Sequence, residues 1–288
     1  MPSVARVLAP NPGLFELEGT NTWVVGRWPA VVIDPGPDDA GHLREVLDAA
    51  GRVGAIVLTH DHPDHAPGAA PLAATTGAPV LAARPAGGAE RLRDGHVVRM
   101  PGVALEAVAT PGHSPDHVAF FLKDERALFT GDAVLGRGTS VIDPPEGDLA
   151  KYLRSLHRMR ELAPKTIYHG HGPVVLDAVD KLDEYAEHRA MREAQVLSGL
   201  AEGPRSPEDL VPAIYEDYPL ELHPAAARSV LAHLLKLEGD GRVEKTKKDG
   251  EVRFALLEPR TCARCGRPVK GRARLCGPCS LAVLQESS

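Results

Sequence analysis

An α/β fold is predicted for most of this 288-residue chain, and three observations predict it. Short apolar, β-branched runs alternate with amphipathic stretches of helical period. Several of those runs end in loops bearing His, Asp and Gly, the carboxyl-end position where open α/β sheets gather their chemistry. From residue 203 the pattern changes to two helices and a two-stranded ribbon, which marks a second, smaller domain. An apolar share of 43% with 25% charged residues is that of a globular protein with ordinary cores.

In chain order, Leu14–Glu18 alternates, Thr22–Val25 is apolar, and a turn at Gly26–Pro29 leads to Ala30–Ile33; paired strands are expected there. Asp34 closes the last of them. Residues 38–50 suit a helix: Asp38 or Asp39 caps it, Leu43, Val46, Leu47 and Ala50 share a face, and Gly51 stops it. Gly54–Thr59 reads as a buried strand, the residues up to Gly77 as a short helix, and Val80–Ala83 as a strand. Residues 84–102, rich in Gly, Pro and Arg, are expected to be loop. Val103–Ala109 alternates as a strand. Val118–Leu122 and Ala127–Thr130 form a hairpin turning at Lys123–Arg126. A helix is expected over 146–163, a strand over Lys165–Tyr168, and a long helix over 177–200. Helices opening at Ser206 and His223, then strands around 242–246 and 251–256, give a winged-helix order.

The stretch Thr59-His60-Asp61-His62-Pro63-Asp64-His65 holds four metal-type side chains in six residues. In an extended run, residues two apart point the same way, so His60 and His62 face one point. The turn at Pro63 re-aims Asp64 and His65 toward a neighbouring point, and one loop thereby serves two adjacent metals. Three imidazoles and a carboxylate this close are costly to hold without a cation. The arrangement repeats at other strand ends, where His113, Asp132 and His171 each have glycine beside them.

The series His60-x-His62-x-Asp64-His65, His113, Asp132, His171 resembles the metallo-β-lactamase superfamily, and the resemblance covers residues 12–200. It implies an αββα sandwich of two mixed sheets. It also implies that His60, His62 and His113 hold one zinc, that Asp64, His65 and His171 hold a second, and that Asp132 bridges them. Asp34 matches an early aspartate that orients the ligand loop. Manganese or iron suits the same mixed donor set. Two such ions about 3.5–4 Å apart can hold a hydroxide and stabilise both the attacking and the leaving oxygen. Asp64 is a second candidate for catalysis, as a proton donor to the leaving group.

Authentic β-lactamases of the superfamily place Cys or Ser where Asp132 stands, and the C-terminal signature of glyoxalase II does not follow His171. The segments 19–23, 110–117, 129–139, 167–173 and 185–193 are similar to a narrower branch, the lactamase-like endoribonucleases and their fungal thioesterase relatives. That branch carries a winged helix, which extends the resemblance to residue 258. His169 stands where the branch has proline. Thr20, Asn21 and Thr22 are candidates for the edge of a substrate pocket, the rival reading being a turn they merely stabilise.

The expected organisation is a hydrolase domain over 1–202, a winged helix over 203–258 and a zinc-ribbon-like tail over 259–288. In the tail, Cys262-x2-Cys265 and Cys276-x2-Cys279 suit one structural zinc. A disulfide is their rival reading. Arg260, Arg264, Arg267, Lys270, Arg272 and Arg274 make the tail basic. In the winged helix, Arg228, Lys236, Lys245, Lys247 and Lys248 suit phosphate contacts, but Glu208, Asp209, Glu216, Asp217 and Glu221 favour a packing role. Residues 1–202 carry 19 basic and 27 acidic side chains, and residues 203–288 carry 14 and 12. The two parts therefore differ in sign of charge. Met1–Arg6 has no apolar leader core, and no run approaches the ~20 residues of a membrane helix. A cytoplasmic protein is expected, without membrane association and with homo-oligomers allowed. The expected function is metal-dependent endoribonuclease action on single-stranded RNA. The alternatives are hydrolysis of a small acyl thioester, and a nucleic-acid-binding regulator whose lactamase domain senses a ligand.

Overall fold

The computed structural model describes residues 3–85, 87–248, 250–257, 260–265 and 268–269. The contacts divide the chain into two compact units, Met1–Glu187 and His188–Ser288.

In the first unit, β1 (Val4–Leu8), β2 (Asn21–Val25), β3 (Ala30–Ile33), β4 (Val53–Val57), β5 (Val80–Ala82) and β6 (Glu90–Arg91) make a six-stranded sheet in that order. The first three strands are antiparallel and β3 to β6 are parallel. A five-stranded sheet has β7 (Val97–Met100), β8 (Val103–Ala109), β9 (Val118–Leu122), β10 (Ala127–Gly131) and β11 (Thr166–His169), in the order β11-β10-β9-β8-β7. Only β10 and β11 run parallel there.

The continuous apolar runs have a simple cause: each central strand is buried on both faces. Val31 and Ile33 of β3 meet Phe120 and Leu122 of β9 and Phe129 of β10 in the core between the sheets. Val32 of β3 and Ile56 of β4 turn the other way, onto Leu43, Val46 and Leu72. Those three belong to α1 (Ala40–Ala50) and α2 (Ala69–Thr76), which cover the outer face of the first sheet. Asp39 caps α1 by accepting from His42 N at 2.8 Å, and Gly51 ends it. On the other side, α3 (Leu149–Glu161) is bonded to the ends of the second sheet through Tyr152, Ser155 and Arg158. The layers are therefore helix, sheet, sheet, helix, as expected.

Two expectations are corrected. Leu14–Glu18 is a folded turn, because Gly13 N bonds to Leu17 O, Gly19 N bonds to Glu16 O, and Leu17 itself sits at φ +56°. Its Leu14 and Phe15 are 62% and 53% exposed, and the edge strand comes instead from Val4–Leu8. Residues 84–102 are not all loop: β6 extends the parallel sheet, and β7 pairs with β8 across the turn at Pro101-Gly102. Both strands are short, and both lie at sheet edges where apolar alternation is weakest.

Helix α4 (Ala178–Leu200) spans the boundary between the units. In the second unit its Val196 and Leu200 pack with α5 (Pro207–Ile214), α6 (His223–Gly239), β12 (Val243–Lys248) and β13 (Glu251–Leu256) around Leu210, Val230, Leu234 and Phe254. A reciprocal cap starts α5: Asp209 N donates to Ser206 Oγ at 3.2 Å, and Ser206 N donates to Asp209 Oδ2 at 3.0 Å. The ribbon pairs Val243 with Leu256 and Lys248 with Glu251. Two helices and a ribbon are the winged-helix order. Among the described cysteines, Cys262 is buried and Cys265 exposed. Cys276 and Cys279, and with them the expected zinc ribbon, lie outside the described residues, as do Arg267, Lys270, Arg272 and Arg274. Among the described residues, no helix is long and apolar enough to cross a membrane.

Candidate metal centre

Strands from both sheets end at one edge of the first unit. There β3 delivers Asp34, β4 the His60–His65 loop, β8 His113, β10 Asp132 and β11 His171. Backbone bonds stitch the two sheets together at this edge: Val118 N to Thr59 O at 2.8 Å and Asn21 N to Gly170 O at 2.7 Å. The side chains converge in two sets that share one carboxylate. The first is His60, His62, His113 and Asp132; the second is Asp64, His65, Asp132 and His171. Within each set the donor atoms lie within 4.8 Å of one another.

In the first set His113 Nε2 faces His62 Nδ1 at 3.2 Å, and Asp132 Oδ2 lies 3.9 Å from His113 Nε2. His60 Nε2 is buried and has no hydrogen-bond partner. In the second set Asp64 Oδ2 lies 3.1 Å from both His65 Nε2 and His171 Nε2. Asp132 Oδ1 is 3.4 Å and 3.3 Å from the same two nitrogens, with no well-directed hydrogen bond. Gly170 is required here by close approach: a Cβ on it would stand 2.2 Å from Asp132 Oδ1.

Four of the imidazoles have their second nitrogen held. His60 Nδ1 meets Thr59 Oγ1 at 2.9 Å, and His65 Nδ1 meets Asp34 Oδ2 at 3.0 Å. His113 Nδ1 donates to Val141 O at 2.9 Å, and His171 Nδ1 donates to Gly19 O at 3.2 Å. Such partners fix which nitrogen is left for a metal, here Nε2. Asp34 does more than orient one loop. It also accepts from Thr59 N at 2.7 Å and Thr59 Oγ1 at 2.6 Å, so one carboxylate supports a ligand of each set.

The electrostatics are those of a site built around cations. Burial lowers His60 well below the ordinary histidine value, and the His65 charge adds to it. Burial likewise lowers His113. Burial would also lower His65, but Asp132 and Asp34 outweigh it and hold His65 well above the ordinary value. For His171 burial is again outweighed, by the adjacent carboxylates of Asp132 and Asp64, and the ring is pushed up to about 10. Burial opposes ionisation of Asp64 and Asp132, yet the adjacent His171 and His65 rings hold both carboxylates well below the usual range. Without metal, therefore, protons on His65 and His171 supply the positive charge that the carboxylates need. A divalent pair would supply it with the same donors, and it would also engage the orphaned His60 Nε2. The residues fit a divalent metal pair.

Of Thr20, Asn21 and Thr22, expected at a pocket edge, all three are fully buried. Asn21 Nδ2 donates to His169 O and Gly172 O at 3.1 Å, and Thr22 Oγ1 donates to Asp34 O at 2.7 Å. These two brace the backbone behind the ligands, because the segment enters β2 instead of forming an open turn. Only Thr20 reaches a ligand residue, donating from Oγ1 to Asp64 Oδ2 at 3.1 Å. His169, the residue in place of proline, is buried beside Pro173 O, and burial first of all brings it down to about 4, so it is neutral. His117 was not assigned from sequence. It is fully buried, meets Thr110 Oγ1 at 2.8 Å, and packs 5.2 Å from the His60 ring. Its place four residues after His113 in the same loop was the available signal.

Among the described residues of the second unit, several basic side chains are paired with acidic neighbours. Lys236 pairs with Glu193 and Asp240, Arg242 with Glu193, Lys245 with Glu238, and Arg253 with Asp209 and Glu251.

Residues 16–171 match the family description "Metallo-beta-lactamase superfamily", and residues 206–251 match "Beta-lactamase associated winged helix domain". The chain is 36% identical to a beta-lactamase-like protein 2 homolog of Caenorhabditis elegans, over 84% of this chain and 86% of the relative. It is 34% identical to an atrochrysone carboxyl ACP thioesterase of Aspergillus chevalieri, over 89% and 87% of the two chains. Among solved structures, a beta-lactamase domain protein from Burkholderia ambifaria superposes with a TM-score of 0.78 at 22% identity, covering 88% of this chain and 91% of the other.

Proposed function

This chain belongs to the metallo-β-lactamase superfamily and carries a metal-dependent hydrolase site, and from that premise we propose that its substrate is an acyl thioester. The observation that carries the reading is the thioesterase relative, whose similarity runs through both domains. We take zinc as the metal, because neutral imidazoles and carboxylates suit it, with manganese or iron as the substitutes to test. When bound, a divalent pair supplies Lewis acidity, lowering the pKa of nearby water and stabilising charge on the substrate oxygen.

Two features of the chain support a thioester. Asp64, held ionised by His171 and His65, is suited to be a ligand. With Asp64 ionised, a leaving group that departs as an anion without taking a proton from it is favoured. A thiolate, whose acid has a pKa of about 8.5, does so far more readily than a sugar alkoxide. The turn at Leu14–Glu18 adds an apolar element beside the ligands: Leu14 and Phe15 are exposed on it, and Gly19 at its end holds His171. That turn suits an acyl chain better than a phosphodiester backbone.

The second reading is single-stranded RNA. It rests on the similarity of residues 110–117 and 185–193 to the endoribonuclease branch and on the basic residues of the last thirty positions. The paired lysines and arginines of the winged helix weigh against it. The regulator reading has less support, because all seven ligand-type residues converge.

The test is thiol release from acyl-coenzyme A and acyl-carrier-protein thioesters by zinc-loaded protein, with Asp132→Asn prepared in parallel. Release by the parent and not by the variant is expected. No thiol release from a protein shown to hold two metals, together with cleavage of end-labelled RNA, would transfer the assignment to the second reading.

A further inference from the structure

The segment around Tyr185 is legible in the sequence as a motif, yet neither the metal sets nor the proposed reaction uses it. In the structure the Tyr185 side chain is fully buried within the first unit. Its hydroxyl accepts from Leu135 N at 2.9 Å and donates to Gly138 O at 3.0 Å. It is thus a two-point bridge across the loop that follows Asp132. Tyr152, also fully buried, donates to Ala133 O at 2.6 Å, and Thr130 Oγ1 donates to Val134 O at 2.8 Å. The loop is pinned at 133, 134, 135 and 138 by side-chain hydroxyls.

Both ends of that loop touch the metal centre. It begins at Asp132, the carboxylate common to both sets. It ends at Ser140 and Val141: Val141 O accepts from His113 Nδ1 at 2.9 Å, and Ser140 Oγ lies 3.2 Å from the same nitrogen. The imidazole partners of the other held ligands lie elsewhere: Thr59 for His60, Asp34 for His65 and Gly19 O for His171. Among these four, His113 alone has its ring held by this loop; the loop meets His171 only through the backbone, Gly136 N to His171 O at 3.2 Å.

We propose that Tyr185 is a positioning residue for one metal subsite, the set His60, His62, His113 and Asp132, acting through the 135–141 loop on the His113 imidazole. The inference rests on the two-metal reading of the site and is independent of the substrate. Removing the hydroxyl leaves Leu135 N and Gly138 O without their shared partner, and the loop then relaxes where it holds His113. Loss of an outer partner of a metal ligand costs about 10–100-fold in affinity. The lower end of that range is expected here, since Tyr185 acts at one remove.

The experiment is stepwise zinc titration of metal-free full-length protein by calorimetry, with cobalt absorption as a second readout. Parent, Tyr185→Phe, His113→Ala and the double variant are compared. Phenylalanine keeps the ring that fills the core, so the melting temperature of each metal-free variant is a direct check on folding. One binding step weakened about 10-fold in Tyr185→Phe, the same step that His113→Ala removes, is the expected result. In the double variant no further loss is expected. Two unchanged steps in Tyr185→Phe would overturn the proposal, as would equal weakening of both. An additional loss in the double variant would also overturn it, because Tyr185 would then act by a route other than His113. Absence of thioester hydrolysis would bear on the proposed substrate and leave these metal-binding outcomes unaffected.

Discussion

Asp34→Asn tests how far one buried carboxylate governs both halves of the metal centre. Asp34 is 2% exposed and takes three hydrogen bonds, from Thr59 N, from Thr59 Oγ1 and from the His65 ring. Its backbone has φ +50°, a conformation that Asn tolerates as readily as Asp, so the exchange adds no new backbone strain. Asparagine keeps one acceptor, enough for Thr59 N. Its NH2 group, however, is set where Oδ2 was, against the Thr59 hydroxyl and His65 Nδ1. A donor there obliges Nδ1 to accept, which moves the His65 proton to Nε2, the nitrogen facing Asp64 and Asp132. That nitrogen can then no longer bind a metal. The lost hydrogen bonds to a charged group are worth about 1.5–3 kcal/mol each before relaxation. The resulting fall in metal affinity is expected to be about 10–100-fold, or about 1.4–2.8 kcal/mol. The His65 subsite should suffer most, and the His60 subsite, reached through Thr59, should suffer less. Calorimetric zinc titration of the metal-free variant, alongside metal content after dialysis, measures both steps. Wild-type affinity at both steps would refute the tautomer argument. Equal loss at both would refute the ranking.

Two further outcomes follow from the geometry. Gly112→Ala should destabilise by about 3 kcal/mol or more: φ is +142° and a Cβ would stand 2.4 Å from the Tyr152 backbone, which cannot yield. Gly102→Ala, with φ +74° and open space around it, should cost only about 1–2 kcal/mol, and denaturant melts of the two variants check the contrast. Burial, with the nearby Arg189, Lys236, His188 and Arg192 charges, brings His233 down to about 3, so the unfolded chain binds the extra proton between about pH 6.5 and pH 3. The stability this neutral ring contributes is present above about pH 6.5 and is lost as pH falls, by up to about 1.4 kcal/mol per pH unit. His233→Leu should flatten the acid side of the stability profile measured by urea denaturation, and an unchanged slope would show that the ring is not buried neutral.

Much of the centre was legible before any fold was known. The alternation of extended residues grouped His60 with His62, Pro63 re-aimed Asp64 and His65, and glycines beside His113, Asp132 and His171 marked the other strand ends. These are local properties, written in spacing and in the stereochemistry of single residues, and so was the cap that Asp39 places on α1. Local order also explains the errors. Leu14–Glu18 alternates as a strand would, but a positive φ at Leu17 and backbone bonds within the turn override that pattern. What only the tertiary structure decided is how distant residues share their hydrogen bonds. Asp34 reaches Thr59 and His65, Asn21 is spent on the backbone of 169 and 172, and Tyr185 holds the loop that holds His113. A sequence specifies which groups can donate or accept. Which of them lie within 3 Å of each other depends on how two sheets, with strands far apart in the chain, are brought to one edge by burying their apolar faces.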